Sequence, residues 1–200
     1  MKADLHLHSN ASDGRLSAEE LVRYAADSGL TVMALTDHDS VDGVPAAIAA
    51  ARAFPPLEVI PGVEIGTDVP HGEVHVLGYF VDYELEELLS RLERLRLGRV
   101  DRAQKMIAKL KRLGVDVEWR RVQELAGDGA IGRPHIAQAM YEKGYISSLK
   151  EAFVKYIGRD GPAYAEREKL TPVGAVELIV KTRGLPVLAH PADIESVEGL

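Results

Sequence analysis

The sequence contains no cysteine among its 200 residues. Disulfide bonds are therefore excluded, and so are thiolate ligands, which leaves nitrogen and oxygen atoms to hold any metal ion. No apolar run is long enough to span a bilayer, and the first residues lack the apolar segment of a secretory signal. We therefore expect a cytoplasmic protein with no membrane partner.

An excess of positive charge is also lacking, because 24 Lys and Arg stand against 31 Asp and Glu, for a net charge of -7. This balance argues against a broad nucleic-acid-binding surface. A nucleotide or an RNA end can still be a substrate, because bound cations make a pocket locally positive. The length and the hydrophobic content of 46% indicate one well-buried globular domain with room for an insertion.

The first predicted strand has an unusual polar face. Side chains alternate along a strand, so Asp4, His6 and His8 share one face while Leu5 and Leu7 share the other. Burying unpaired polar groups is costly, whereas imidazoles are the commonest metal ligands of proteins. The pattern favours a metal site, and the alternative is a surface strand with histidines placed by chance.

The first part of the chain, residues 1–82, alternates strand and helix patterns, which predicts an α/β fold with parallel strands. Ser17 and Glu20 form a potential capping box for a helix that closes at Gly29. The further segments predicted here are strand Thr31–Thr36, helix Val44–Phe54, strand segments Leu57–Ile60 and Val63–Ile65 around a kink at Pro61-Gly62, a turn at Val69–Gly72, and strand Glu73–Tyr79.

Residues 83–168 are more charged and carry helical patterns only. We expect a helical insertion that lies over the mouth of the α/β domain, the alternative being a peripheral decoration. The predicted helices are Leu85–Leu113, which Gly98 could divide, Glu118–Ala126, a helix from Pro134 to Gly144 that contains His135, and Leu149–Ile157, with a loop at Gly127-Asp128-Gly129. The α/β pattern resumes in residues 169–200 with a helix capped by Thr171, a short buried strand Leu185–Ala189, and a loop and helix from Ala192.

Most of the histidines follow predicted strands. His6, His8, His38 and His190 lie at or just past strand ends, as does Glu64, and His75 lies within a strand. Because the carboxyl ends of strands form the functional rim of α/β folds, these side chains should meet at one site. Such a cluster is costly as a bare core but stable around cations, and Glu64 can bridge two of them.

These motifs together resemble the PHP (polymerase and histidinol phosphatase) family. The segments that carry the resemblance are Asp4–Ser9 with Asp13-Gly14, Leu35–Asp39, Pro61–Ile65, His75–Tyr79 and Ala189–Pro191. The resemblance implies a distorted (β/α)7 barrel with a site for two or three metal ions. The family adds an Asp and a His from a strand beyond the position of His190, and no such motif follows here. We therefore expect a barrel that lacks its C-terminal strands, which a partner chain could complete in a homo-oligomer.

By position, the resemblance implies three metal sites filled by two or three divalent ions, which would be manganese, iron or zinc. The implied ligands are His6 and His8 with Glu64, then Asp13 with His38, then His75 and His190 again with Glu64. Asp37 and Asp39 are candidate catalytic residues, expected with Asp4 to orient the histidines. The alternatives are a turn role for Asp13 and a hydrogen-bonded core position for His75.

The segment Gly132–Ala137 resembles the insertion of the branch of the family that acts on nucleotides. Arginine matches phosphate, and the start of a helix favours anions, so Arg133 and His135 are candidate substrate-binding residues. The alternative is that Arg133 pairs locally. The predicted function is metal-dependent phosphoester hydrolysis, of 3′,5′-nucleoside bisphosphates or of short RNA from its 5′ end. The alternatives are another small phosphomonoester, such as histidinol phosphate, or a catalytically incomplete metal-binding module.

Overall fold

The computed structural model describes residues 1–69, 72–127, 129–167 and 169–191. The predicted loop and helix from Ala192, and the central residue of the predicted loop at Gly127–Gly129, lie outside these residues. One five-stranded sheet has the order β1-β2-β3-β4-β5. Its strands are β1 (Ala3–Leu7), β2 (Val32–Leu35), β3 (Glu58–Val69), β4 (Gly72–Tyr79) and β5 (Leu185–Leu188).

The prediction of a parallel sheet is correct for one half of the sheet and wrong for the other. Strands β1, β2 and β3 run parallel, but β4 runs antiparallel to both β3 and β5. The predicted kink at Pro61-Gly62 is absent, because residues 58–69 form one long strand that pairs first with β2 and then with β4. The long strand and its hairpin curl the sheet into a half-barrel.

Strand β5 was predicted to be buried, and this prediction is wrong. Leu185 is 57% exposed and Leu188 is 38% exposed. The reason is that β5 lies at the edge of the sheet, where β4 is its only neighbour among the described strands.

Seven α-helices are described, and the helix caps predicted at Ser17 and Thr171 are present. The helices are α1 (Ala18–Asp27), α2 (Val44–Ala51), α3 (Glu86–Arg112), α4 (Trp119–Ala126), α5 (Arg133–Glu142), α6 (Leu149–Ala152), which continues into a π-helical turn at Phe153–Ile157, and α7 (Pro172–Lys181). The capping box of Ser17 and Glu20 is present, and the Thr171 side chain caps α7 by accepting from the Gly174 N–H. Gly98 does not divide α3, which is continuous over 27 residues. Among the described helices, none is long and apolar enough to cross a membrane.

Helix α3 connects two hydrophobic cores. Leu88 and Leu92 pack with the sheet, α1, α2 and α7, whereas Met106 and Leu110 pack with the other helices of the insertion. Burying one such side chain contributes roughly 1.5–3 kcal/mol to folding, so each half of α3 is held by its own core. The predicted boundaries at residues 82 and 168 stay a prediction.

The insertion also touches the loop that follows β1. Ala130 N–H donates to the Ala11 carbonyl oxygen at 3.0 Å. At Gly129, a Cβ atom would lie 2.3 Å from the carbonyl oxygen of Asn10, so only glycine permits this approach. The insertion is therefore packed against the loop that carries Asp13.

Candidate metal centre

The Glu64 carboxylate is the centre of the site. Its side chain is 1% exposed and lies on β3. Five imidazole nitrogens surround its two oxygens at 2.8–3.2 Å. These are His6 Nε2 at 3.0 Å, His8 Nε2 at 3.1 Å, His38 Nδ1 at 3.2 Å, His75 Nδ1 at 2.8 Å and His190 Nε2 at 3.2 Å. The predicted convergence of distant histidines on Glu64 is therefore present in the structure.

Backbone pairing past the strand ends produces this convergence. Glu64 N–H donates to the Asp37 carbonyl oxygen at 3.1 Å, and Asp39 N–H donates to the Glu64 carbonyl oxygen at 2.9 Å, which places His38 beside Glu64. His75 lies on the neighbouring β4, and Ala189 N–H donates to the His75 carbonyl oxygen, which brings His190 to the same place. Strand neighbours thus become neighbours around the site.

Asp13 reaches the centre from a tight loop after β1. Its carboxylate oxygens lie 3.4 Å from His8 Nδ1 and 3.8 Å from His38 Nε2. At the next residue, Gly14, a Cβ atom would lie 2.2 Å from the His8 carbonyl oxygen, so a side chain there would open the loop. Asp13 is therefore part of a tight turn and also places its carboxylate beside the histidines of the centre.

The donor set fits divalent cations. Three groups have their ligand atoms within 4.8 Å of one another: His6, His8 and Glu64; His8, Asp13 and His38; His38, Glu64 and His75. A carboxylate offers about four acceptor positions, fewer than the five imidazoles around it. His38 Nδ1 lies 3.2 Å from Glu64 Oε2 but is buried and makes no hydrogen bond in the structure. An imidazole nitrogen beside a carboxylate oxygen, with no hydrogen bond between them, is the arrangement expected for two ligands of one cation, and nitrogen and oxygen donors of this kind suit divalent metals.

The pKa shifts of Glu64 and His38 favour their metal-binding forms. The pKa of His8 is raised instead: burial alone would lower it, but the hydrogen bond and charge of Glu64 and the charge of Asp13 outweigh burial. Burial alone would raise the pKa of Glu64, but hydrogen bonds from His75 and His8 hold it well below its usual range. Burial, together with the Arg99 guanidinium, lowers the pKa of His38 to about 3. Glu64 is therefore an anion and His38 a neutral imidazole at neutral pH, as metal binding requires.

The carboxylates of Asp37 and Asp39 bind other partners than the histidines they were expected to orient. Asp37 accepts hydrogen bonds from Ser9 N–H at 2.8 Å, Ser9 Oγ at 2.7 Å and Ser12 Oγ at 2.6 Å. Asp39 accepts from Arg99 Nε at 2.6 Å and Arg167 Nη2 at 3.0 Å. Asp4 accepts from the backbone N–H of His6. Because Asp37 and Asp39 flank His38 along the chain, their side chains point away from it, towards the β1 loop and the arginines respectively.

A small cavity adjoins the centre on the side of the insertion. It has a volume of about 120 Å³, and Asp13, His38 and His75 form part of its wall. The cationic side chains that line it are Arg99, Arg102, Arg133 and Arg167.

Of these four arginines, the sequence motifs indicated Arg133 and not the other three. Arg99 and Arg102 continue the apolar stripe of α3 at helical spacing after Leu92 and Leu95, a signal that could have revealed them. Arg167 had no comparable signal.

The structure separates the two candidate substrate-binding residues. The Arg133 guanidinium lies over the Phe153 ring, 5.6 Å from its centroid, at the wall of the small cavity. His135 Nδ1 accepts a hydrogen bond from Gly132 N–H at 3.0 Å, which caps the start of α5. His135 and Asp13 line a second, larger groove of about 980 Å³. The two residues thus face two different spaces beside the centre.

A curled α/β sheet with histidines and carboxylates clustered at its strand ends defines a metal-binding α/β protein of half-barrel architecture. Its family follows from the PHP domain model, which matches residues 4–157, so the chain belongs to the PHP domain family. This agrees with the resemblance of its motifs.

Relatives and a solved structure are similar along nearly the whole chain. A 5′-3′ exoribonuclease of Haemophilus influenzae is 35% identical over 190 residues, which cover 95% of this chain and 69% of that protein. A 3′,5′-nucleoside bisphosphate phosphatase of Chromobacterium violaceum is 33% identical over 196 residues, which cover 94% of this chain and 66% of that protein. An amidohydrolase structure from Chromobacterium violaceum, with bound sulfate and no metal, matches with a TM-score of 0.91 and 30% identity, over 98% of this chain and 69% of that one. The chain thus spans about two thirds of the length of these proteins.

Proposed function

We propose that this protein is a metal-dependent phosphoesterase that acts on nucleotides. The observation that carries the proposal is the cluster of five imidazoles around Glu64, beside a phosphate-sized cavity lined by four arginines. The names of the related exoribonuclease and bisphosphate phosphatase support the same substrate class. A cytoplasmic location, the choice among manganese, iron and zinc, the number of ions and a homo-oligomeric state stay predictions from the sequence.

In the proposed mechanism, the residues of the chain hold the cations and orient the substrate. The metal sites would be formed by three groups of residues: His6 and His8 with Glu64, Asp13 with His38, and His75 and His190 with Glu64. Bound divalent cations supply an activated water and neutralise charge on the phosphoryl oxygens. Asp37 keeps the β1 loop closed through Ser9 and Ser12, and this loop presents His8 and Asp13 to the centre.

The arginine-lined cavity would bind a second phosphate of the substrate. Its volume of about 120 Å³ is too small for a nucleoside, whereas ligand pockets usually measure roughly 300–1,000 Å³. Planar guanidinium groups match the oxygens of a phosphate, and Arg133 is held over Phe153 at the cavity wall. The adjoining groove of about 980 Å³ has room for the nucleoside, with His135 along its wall. A substrate with two phosphates, such as a 3′,5′-nucleoside bisphosphate or a 5′-phosphorylated RNA end, fits this arrangement.

A substrate panel tests the proposal. The metal-loaded protein is assayed for phosphate release from a 3′,5′-nucleoside bisphosphate, a 3′-nucleoside monophosphate and histidinol phosphate, and for nucleotide release from short 5′-phosphorylated RNA. We expect kcat/KM for the bisphosphate to exceed that for the monophosphate by at least about tenfold, because one charge-assisted phosphate contact contributes roughly 1.5–3 kcal/mol.

Each rival function gives its own result in this panel. A preference for histidinol phosphate would support the alternative small-phosphomonoester phosphatase. Binding of metal without hydrolysis of any of these substrates would support a metal-binding module and would refute the proposal.

Arg133→Ala should weaken binding of the bisphosphate more than binding of the monophosphate. We expect KM for the bisphosphate to rise about tenfold, since one guanidinium contact to the second phosphate is lost. Steady-state kinetics on both substrates measure the difference. Arg120→Ala is the matched control, because Arg120 is 88% exposed on α4 and should leave both KM values unchanged. Equal effects of Arg133→Ala on both substrates would contradict a role at the second phosphate.

A further inference from the structure

Asp39 lies where three parts of the chain meet. It follows β2, it is fully buried, and it is held with φ at 50°, a conformation that Asp tolerates better than most residues. Its Oδ2 atom accepts from Arg99 Nε at 2.6 Å and from Arg167 Nη2 at 3.0 Å. Arg99 belongs to α3, and Arg167 belongs to the segment that leads to α7. One carboxylate oxygen thus joins the sheet, the long helix and the return segment.

The Asp39 carboxylate provides a counter-charge to both arginines. Their side chains are 8% and 1% exposed, and buried guanidinium groups need a counter-charge. The contacts at 2.6 and 3.0 Å make the Asp39 carboxylate a shared counter-charge of the two guanidinium groups. Both guanidinium groups line the small cavity, and planar guanidinium groups match the oxygens of an anionic ligand such as phosphate.

The contacts also fix the arginines in position. Asp39 Oδ1 accepts from Gly66 N–H at 3.4 Å, which ties the carboxylate to β3. A Cβ atom at Gly66 would lie 3.1 Å from Arg167 Nη2, so the guanidinium packs closely on the β3 backbone. Donors that are ordered before the ligand arrives lose little conformational entropy on binding it.

We propose that Asp39 is a positioning residue, which holds Arg99 and Arg167 as a preformed binding site for the second phosphate of the substrate. The proposal rests on the proposed function for the identity of the ligand. It assigns Asp39 no contact with the reacting phosphoryl group, since the carboxylate faces the arginines. His38 faces the metal centre, whereas the carboxylate of the next residue, Asp39, contacts two of the arginines that line the small cavity.

The chain offers a matched control three residues further along. Asp42 pairs with Arg96 at 2.6 Å, so it also joins the loop after β2 to helix α3. This pair is partly solvent-exposed, and neither residue borders the arginine-lined cavity. Asp42 does border the larger groove, so this control applies to binding of inorganic phosphate and not to the nucleoside. If loss of any contact between this loop and α3 weakened phosphate binding, Asp42→Asn would weaken it too. If the arginine-lined cavity alone matters, Asp42→Asn should leave phosphate binding unchanged.

The first test measures binding of inorganic phosphate to the metal-free protein by calorimetry at about pH 8. We expect Asp39→Asn to weaken binding by at least about tenfold and Asp42→Asn to change it less than about twofold. Wild-type affinity in Asp39→Asn would overturn the proposal. Because no turnover is involved, this result does not depend on whether the protein hydrolyses phosphoesters.

A double-mutant cycle tests whether Asp39 acts through Arg99. Arg99→Gln removes one of the two guanidinium groups that Asp39 holds, so adding Asp39→Asn to it should weaken phosphate binding by less than Asp39→Asn does in the wild type, because only Arg167 is left to be misplaced. Fully additive effects would overturn the proposal. If Asp39→Asn cannot be recovered folded, Asp39→Glu takes its place, since it keeps the charge but shifts the carboxylate by one methylene, and an intermediate loss of phosphate affinity is expected.

Kinetics and metal content separate positioning from catalysis. On the bisphosphate, Asp39→Asn should raise KM more than it lowers kcat, and its metal content should equal that of the wild type. A fall in kcat and in metal content at unchanged KM would place Asp39 in the metal centre and would overturn the proposal. Absence of hydrolysis by the wild-type protein would refute the proposed function and leave the phosphate-binding tests to decide on Asp39.

Discussion

Glu64→Gln should lower kcat/KM for any hydrolysed phosphoester by at least about a thousandfold, with little change in the fold. The substitution keeps the shape of the side chain but removes the negative charge that five imidazoles share. It also replaces one carboxylate oxygen by an NH2 group, which donates hydrogen bonds and cannot bind a cation. The two predicted metal sites that include Glu64 can therefore no longer share it as a bridging carboxylate.

Kinetics, metal analysis and circular dichroism on the same preparations measure this effect. Glu58→Gln is the matched control, because Glu58 lies at the start of the same strand and is exposed. It should behave as the wild type. Full turnover by Glu64→Gln, at unchanged metal content, would contradict a metal centre built on Glu64.

The strand-end histidines and Glu64 were predictable from sequence because their positions depend on local rules. A short β-branched strand that ends in Asp37-His38-Asp39 places its polar residues at the rim of any α/β sheet, whatever surrounds it. The helix caps at Ser17 and Thr171 are local as well, since each depends on a residue three positions away.

The remaining features depend on contacts between distant residues. The pairing of β4 with β5, more than a hundred residues later, is one such contact, whereas the antiparallel direction of β4 is local, since Val69 of β3 pairs with Gly72 of β4. The partners of Asp39 are 60 and 128 residues away along the chain, and no local pattern relates them. The exposed face of β5 likewise depends on which strands lie beside it, a property of the sheet and not of its own residues.

The curl of the sheet explains how its two edges share one site. Strands β1 and β5 are at opposite edges of the sheet order, yet the rings of His6 and His190 stack at a centroid distance of 5.9 Å. The Tyr79 hydroxyl on β4 donates to the Leu5 carbonyl oxygen on β1 at 2.9 Å, across the inside of the curl. The geometry of the site therefore depends on the closure of the sheet as well as on the residues of the site. We expect that ligand binding there stabilises the whole fold.

Removal of metal should abolish activity completely and lower the thermal stability of the protein. A ligand at about 100 times its Kd stabilises the folded state by about 2.7 kcal/mol, and 1 kcal/mol moves Tm by roughly 2–4 °C in a chain of this size. We therefore expect chelation and dialysis to lower Tm by roughly 5–10 °C. Addition of Mn²⁺, Fe²⁺ or Zn²⁺ should restore Tm and activity together, because the same imidazoles close the sheet and hold the cations.

Glu64→Gln provides the control, since its Tm should not respond to added metal at these concentrations. Equal Tm values of the metal-free and metal-loaded wild type, with activity retained after chelation, would refute a metal-dependent site at these strand ends.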